Sequence, residues 1–410
     1  MRHVIIGAGA AGLTAAKTIR ILRPEDAVTV ISADEYVNSR CMLHKYISDE
    51  RDEQTVSFVD EDFFTKYDIQ WLKGKRVTHI DSSARRVSYD GGQLDFDTLL
   101  IATGSNSVTP PIGSLRESEN VFGLRHLTDA QAIKTAAADA QDIVVIGAGL
   151  VGLDAVYALV ELGKKPVVVE MADSVLALNL DAHAAGAYQA LFEQAGCEFY
   201  LGFKVTGTRE KDGKITHVEL DNGESLPCDM LIVAAGVRPA VEFLQESGIA
   251  YERAINVDEY LKTNIDGIYA AGDVAGLSGI WPNAMKQGEI AAKNMCGQQE
   301  AYTDTFAVKN TVNFFGLVTL SVGEREAQEG DVVYILEDRT CYNKAILRDG
   351  KVVGVILQGD ISNSGFWQYL IKNKIAVDNI DKPVFKLSFA DFFAIDDKGE
   401  FYWTAMANEG

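Results

Sequence analysis

Two short glycine runs carry the clearest chemistry in this chain of 410 residues: Gly7-Ala8-Gly9-Ala10-Ala11-Gly12 and Gly147-Ala148-Gly149-Leu150-Val151-Gly152. In a Gly-x-Gly-x-x-Gly run the first glycine allows a sharp turn. The second lets a pyrophosphate approach the backbone, and the third lets the following helix pack closely on the preceding strand. The helix N-terminus then presents unpaired N–H groups and a positive dipole end to phosphates. An acid further along would take the ribose hydroxyls. In the second copy that acid is Glu170, eighteen residues after Gly152; in the first copy Ser32 stands twenty residues past Gly12, and Asp34 and Glu35 just beyond it are the candidates.

The elements that must position these residues are legible around them. Val4-Ile5-Ile6 and Ile143-Val144-Val145-Ile146 read as buried strands entering the two turns, and Val28-Thr29-Val30-Ile31 and Pro166-Val167-Val168-Val169-Glu170 as the second strand of each βαβ unit. Later in each copy an apolar strand ends in small residues, Leu99-Leu100-Ile101-Ala102-Thr103-Gly104 and Leu231-Ile232-Val233-Ala234-Ala235-Gly236. Small residues there let backbone lie against a ligand at the carboxyl edge of a parallel sheet. Gly12 to Gly104 spans 92 residues and Gly152 to Gly236 spans 84, so the whole pattern repeats. Arg76 to Asp81 and Arg86 to Tyr89 alternate as a hairpin pair. A further strand ends in Gly272-Asp273, and Pro282 marks a helix start. From about Tyr302 the texture turns to short β-rich runs, and the last thirty residues are rich in aromatics, among them Phe385, Phe389, Phe392, Phe393, Phe401 and Trp403.

The expected class is α/β: two Rossmann-like dinucleotide-binding domains, the second inserted in the first, plus a small α+β C-terminal domain. The expected boundaries are 1–112 with 237–300, then 113–236, then 301–410. Acids outnumber bases 59 to 38, a net charge of −21, which argues against nucleic acid or an anionic membrane surface as partner. The five cysteines lie far apart, without the paired spacing of a zinc site or dithiol, and no apolar run reads as a membrane span. Met1 runs almost directly into the first strand, so a cytoplasmic, reducing location is expected.

The two fingerprints, Ala102-Thr103-Gly104, Ala235-Gly236-Val237-Arg238-Pro239 and Ile268-Tyr269-Ala270-Ala271-Gly272-Asp273 together resemble the two-dinucleotide-binding-domain flavoproteins, over roughly residues 1–300. Ala284-Met285-Lys286-Gln287-Gly288-Glu289 and the run from Val352 to Asp360 are most similar to NADH:rubredoxin and flavorubredoxin reductases, with nitrite reductase large subunits also in the family. The resemblance implies FAD on the first fingerprint and NAD(P)H on the second. It implies FAD contacts from Gly7, Gly9, Ala10, Ala11, Gly12, Asp34, Glu35, Arg40, Val77, Ala102, Thr103, Gly104, Gly272, Asp273 and Met285. NAD contacts would come from Gly147, Gly149, Leu150, Val151, Gly152, Glu170 and Gly236. Glu170 favours NADH over NADPH, because a carboxylate binds the ribose hydroxyls but repels a 2′-phosphate, and Met171-Ala172 bring no arginine.

Arg40-Cys41-Met42-Leu43-His44-Lys45 is similar to a family segment whose lysine lies near the flavin N5 and pairs with an acid two residues after the second fingerprint, here Asp154. A Lys45–Asp154 pair is therefore expected beside the flavin. Cys41 has two readings: a small filler of the FAD loop, or the single redox cysteine of NADH oxidases and CoA-disulfide reductases, which also carry a tyrosine five residues on, as Tyr46 is here. His44 could relay a proton or only bond locally, and Trp281 could pack on the flavin edge or anchor its helix. The implied activity is oxidation of NADH with electrons passed through the flavin to a small iron or iron–sulfur protein such as rubredoxin. Alternatives are a thiol-using reductase of CoA disulfide, polysulfide or oxygen, or an electron-input subunit of a larger complex; as partners, a second copy in a homodimer or the other subunits of such a complex are the candidates. An acidic acceptor would need a basic patch, for which Lys309, Arg348, Lys351, Lys372 and Lys374 are candidates.

Overall fold

The structure, a computed structural model, describes residues 1–304, 309–378 and 380–403. The chain divides into two compact units. The first comprises Met1–Gly147, Val151–Val169 and Lys204–Ala307; the second comprises Ala148–Leu150, Glu170–Phe203 and Val308–Gly410.

Two parallel sheets organise the first unit. Strands Ile268–Ala270, Thr98–Ile101, Arg2–Ile6, Ala27–Ile31 and Gln70–Leu72 lie side by side in that order. Val4, Ile5, Ile6 and Leu99 to Ile101 are buried because helices and loops cover both faces, which is why parallel strands read as unbroken apolar runs. The second sheet sets Ile143–Ile146 between Val167–Glu170 and Met230–Val233, with Val121–Phe122 beyond the latter, all parallel. Its strands fall in sequence between Thr98–Ile101 and Ile268–Ala270, so one Rossmann-type sheet is interrupted by another. The hairpin expected at 76–89 is Val77–Asp81 with Arg86–Tyr89, extended by a third strand, Gly92–Asp95.

Helix Ala10–Leu22 begins within the first fingerprint, and helix Trp281–Met295, with Pro282 in its first turn, crosses it. Gly288 permits that crossing: a Cβ there would overlap the Ala11 carbonyl oxygen. The contact is bare backbone on backbone.

The second unit holds an antiparallel sheet ordered Lys309–Phe314, Leu317–Gly323, Lys351–Gln358, Tyr342–Arg348, Val332–Glu337. Helix Ala182–Gln194 is fastened to it, as buried Tyr188 donates to Leu317 O at 2.9 Å and Asp181 accepts from Lys344 at 2.9 Å and Tyr342 at 2.8 Å. The edge strand Val332–Glu337 exposes five consecutive apolar residues, Val332 to Leu336. Much of the aromatic C-terminal segment packs on helix Ser364–Lys372: Phe392 is buried and Trp403 stacks on it at 5.5 Å, while Phe389 and Phe393 stay partly exposed. The Phe401 side chain lies outside the described residues.

Candidate functional site

The first fingerprint is a backbone device. Gly7 takes φ +110°, where only glycine is at ease, and a Cβ on it would overlap the Ala102 carbonyl oxygen. Likewise a Cβ on Gly12 would overlap Gly7 O, whereas one on Gly9 would meet nothing within 4 Å. Gly9 thus faces open space at the N-terminus of helix Ala10–Leu22, where unpaired N–H groups attract an anion. Ala10, Ala11 and Gly12 are buried inside that helix and serve packing.

A cleft of about 970 Å³ opens over this turn, lined by Gly7, Gly9, Asp34, Glu35, Arg40, Lys75, Arg76, Val77, Ala102, Thr103 and His126 among others. It is large enough for a dinucleotide. Its polar groups suit one. Among the described residues the Arg40 guanidinium makes no hydrogen bond or ion pair, and burial pushes its pKa down to about 10. A desolvated, unpaired cation over a phosphate-binding turn fits a pyrophosphate. Gly104, at φ +70°, leaves room for that guanidinium. Asp34 is already engaged, 3.1 Å from His126 Nδ1; burial raises its pKa, but hydrogen bonding and charge from His126, with Arg40 and Arg76, carry the net shift downward. Glu35 is exposed on the cleft wall beside Gly74, where, among the described residues, no hydrogen bond engages its carboxylate and it could accept from a ribose.

Asp273 stands in the turn after strand Ile268–Ala270 and is not among the residues that line the cleft. Its carboxylate accepts from Ser105 at 2.9 Å and from the Arg125 guanidinium, which also holds Ser105 O at 2.9 Å. No motif singles out Arg125; its one signal along the chain is a lone arginine just before helix Leu127–Asp139. Gly272 N–H donates to buried Gln287 Oε1 at 2.8 Å, tying the turn to the crossing helix. Met285, on that helix, is 40% exposed, and Trp281 sits edge-on to Phe58 at 4.8 Å.

The segment Arg40–Ile47 departs from expectation. Lys45 Nζ binds Glu50 Oε2 at 2.8 Å, not Asp154. The expected Lys45–Asp154 pair is not formed because the short helix Leu43–Ile47 directs the lysine toward the nearby glutamate five residues on. His44 takes the place beside Asp154, Nδ1 to Oδ1 3.6 Å, too long for a hydrogen bond, and Nδ1 is buried with no hydrogen-bond partner among the described residues. Burial drives the two in opposite directions, His44 down to about 4 and Asp154 up to about 7. Cys41 is open to solvent, yet the protein around the thiol raises its pKa; Asp154 adds to the shift, and Arg125 and Arg40 oppose it.

The second fingerprint repeats the first. A Cβ on Gly152 would overlap Gly147 O, Gly147 has φ +104°, and Gly149 faces open space. Leu150 and Val151 open helix Leu150–Glu161, and Gly236 closes the neighbouring strand at φ +102°. The Glu170 carboxylate accepts from Ala148 N at 2.7 Å and Ala172 N at 2.9 Å, so it is fixed at the strand end. Of the basic candidates in the C-terminal region, Arg348 is taken up by Glu324 and Asp331, at 2.7 and 2.9 Å; Lys351 and Lys374 are exposed.

Comparison with known proteins agrees with this geometry. Residues 1–288 match the family described as pyridine nucleotide-disulphide oxidoreductase, and residues 309–375 match the rubredoxin NAD+ reductase C-terminal domain. The chain is 30% identical over 386 residues to the NADH-dependent phenylglyoxylate dehydrogenase subunit epsilon of Aromatoleum evansii, covering 90% of this chain and 91% of that one. To the nitrite reductase [NAD(P)H] of Bacillus subtilis it is 28% identical, over 92% of this chain but only 48% of the relative, about half its length. Among solved structures, a NAD-dependent persulfide reductase from A. fulgidus superposes with a TM-score of 0.82 at 27% identity, covering 93% of this chain and 78% of that one. The chain belongs to the pyridine nucleotide-disulphide oxidoreductases and is an FAD- and NADH-dependent flavoprotein oxidoreductase of the kind that includes the rubredoxin reductases.

Proposed function

We propose that this enzyme takes hydride from NADH and passes the electrons singly to a small iron protein of the rubredoxin type, without a cysteine intermediate. FAD supplies the two-electron to one-electron conversion. The protein's part is to bind and orient: Gly9 and Arg40 would hold the pyrophosphate, Glu35 the adenosine ribose, Asp273 the ribityl chain and Glu170 the NADH ribose. The observation that carries the reading is the setting of Cys41. A reactive thiolate needs a nearby cation. Here burial and Asp154 carry the thiol's pKa upward against the pull of Arg125 and Arg40, and Lys45 is engaged by Glu50. The match of residues 309–375 to the rubredoxin reductase C-terminal domain supports the iron acceptor. Exposed Lys351 and Lys374 would offset the net charge of −21 toward an acidic partner.

The test is anaerobic reduction by NADH followed by mixing with rubredoxin, ferredoxin, CoA disulfide or oxygen, comparing wild type with Cys41→Ser. Rapid reoxidation by rubredoxin in both proteins is the expected result; turnover of CoA disulfide that Cys41→Ser abolishes would replace this reading with the thiol one.

A second reading, an electron-input subunit of a larger complex, is favoured by the near full-length likeness to the epsilon subunit of a dehydrogenase. The apolar edge Val332 to Leu336 is consistent with such an assembly. Stoichiometric co-purification with an iron–sulfur protein would establish it. A cytoplasmic site of action goes with either reading; among the described residues no helix is long and apolar enough to cross a membrane.

A further inference from the structure

The two edges of the antiparallel sheet in the second unit are built differently. Edge strand Lys309–Phe314 carries Lys309, Asn310, Thr311 and Asn313 and buries only Val312 and Phe314. A lysine and polar side chains of that kind guard an edge against further pairing. The opposite edge, Val332–Glu337, has no such guard: no lysine, proline or register shift interrupts Val332 to Leu336, and all of these are exposed, Ile335 at 59%. The direction of its main-chain groups can be read from the adjoining turn. Asp338 N–H donates to Cys341 O at 3.0 Å, directly opposite it in the ladder. By alternation Val332, Tyr334 and Leu336 turn their N–H and C=O groups to strand Tyr342–Arg348, and Val333, Ile335 and Glu337 turn theirs outward. We propose that this edge is the contact between two copies of the chain, paired antiparallel about a two-fold axis at Tyr334, so that their sheets join into one.

The strand itself selects the register. Two identical antiparallel edges bond only where outward residues meet outward residues. With the axis at Tyr334, Val333 of each copy faces Ile335 of the other, and the two exchange main-chain hydrogen bonds. Val332 then faces Leu336 and Tyr334 faces its twin, so every apolar side chain of the strip meets an apolar one. Moving the axis one residue to either side keeps the alternation but sets Ile335 against Asp331, or Val333 against Glu337. Charge points the same way. Exposed Glu329 and Arg339 lie at equal distances along the chain on either side of Tyr334 and, among the described residues, make no ion pair. The pairing brings them together at both ends. It also sets Asp331 opposite Glu337 of the second copy, and each of these has its own partner: Arg348 holds Asp331 at 2.9 Å and His183 lies 3.1 Å from Glu337. A chain of net charge −21 repels its own copies over most of its surface, and this uncharged strip is where two can meet. A self-matching edge on a two-fold axis closes on itself, so assembly through it stops at the dimer.

Sedimentation velocity on the FAD-loaded full chain across the micromolar range tests this. Wild type should sediment as a dimer that dissociates on dilution. Ile335→Lys should raise the dissociation constant about tenfold or more, since pairing would bury an unpartnered charge. Flavin absorbance and circular dichroism should stay at wild-type values, because the side chain is exposed in the single chain. Glu329→Arg should weaken the dimer, and Glu329→Arg combined with Arg339→Glu should restore it. The register has its own readout. Under mild oxidation Tyr334→Cys should give a disulfide-linked dimer, because residues opposed in a non-hydrogen-bonded pair lie about 4.5 Å apart at Cα, whereas Val333→Cys should not. A wild-type monomer at every concentration, a dimer that Ile335→Lys leaves intact, or crosslinking by Val333→Cys in place of Tyr334→Cys overturns the proposal. So does a different polypeptide that co-purifies with wild type and is released by Ile335→Lys, which would give the edge to another subunit.

Discussion

The two glycine fingerprints are one backbone solution used twice, and their surroundings differ in what the side chains do with it. In both copies the third glycine is pressed against the first, with no room for a Cβ, while the second faces open space. Beyond the second strand of each copy the two diverge. Glu170 closes the second copy at the strand end, with both carboxylate oxygens fixed by backbone N–H groups. In the first copy Ser32 stands there instead, and the acids have moved into the loop, where Asp34 binds His126 and Glu35 lines a cleft with Arg40 and Arg76. On the proposed reading the glycines specify that a dinucleotide binds, and the residue at the strand end and the cations opposite would choose which one.

That comparison breaks first at the third glycines. Gly12→Val should abolish FAD retention, since the new side chain would collide first with the Gly7 backbone, which cannot give way as a flexible side chain can, and the purified protein should lack flavin absorbance. Gly152→Val should instead leave the flavin bound and lose NADH-driven reduction, seen by anaerobic stopped flow, while reduction by dithionite persists. If both variants lose flavin, the two copies are not independent sites.

Next in size is Arg125→Ala. It leaves a mostly buried Asp273 carboxylate with only Ser105, and breaking such a pair from one side costs about 3 kcal/mol. Thermal unfolding should fall by several degrees and FAD affinity with it. Glu170→Ala should raise the KM for NADH about tenfold, the worth of charged hydrogen bonds to a ribose, with kcat little changed and discrimination against NADPH reduced.

A smaller effect is pH-dependent. The folded-state pKa of Asp154 is raised to about 7, above the ordinary carboxylate value of about 4 in the unfolded chain. Its contribution to stability is fully present below the unfolded value and is lost as pH rises through the folded one. His44 is depressed to about 4, so its contribution is present above its unfolded value near 6.5 and is lost as pH falls through 4. Asp154→Asn should therefore match wild type in melting temperature near pH 4 and exceed it at pH 8, by an amount that grows between. Equal melting curves at both pH values would mean that Asp154 is solvated.

The least change is expected from Lys45→Met. Its partner Glu50 is 40% exposed at the side chain, and pairs of that kind contribute under about 1 kcal/mol. Flavin reduction by NADH should slow less than twofold if Lys45 stays with Glu50; a large slowing would show that the lysine swings to the flavin during catalysis.

Spacing along the chain settled the backbone half of this protein. Glycines at fixed intervals, strands that read as unbroken apolar runs and a pattern repeated 140 residues later define two Rossmann-type sheets, because strand, turn and helix start are local events. The sharp turns at Gly7 and Gly147, the acid at Glu170 and the helix opening at Pro282 were all legible for that reason. Partner choice among side chains was not. That Lys45 turns to Glu50, that His44 stands against Asp154, that Arg125 reaches Asp273 and that Arg348 is taken up by Glu324 and Asp331 depend on where the folded backbone brings each side chain to lie. A charge finds its partner by distance in space, and buried groups shift their pKa by what surrounds them after folding, quantities that no spacing along the chain contains.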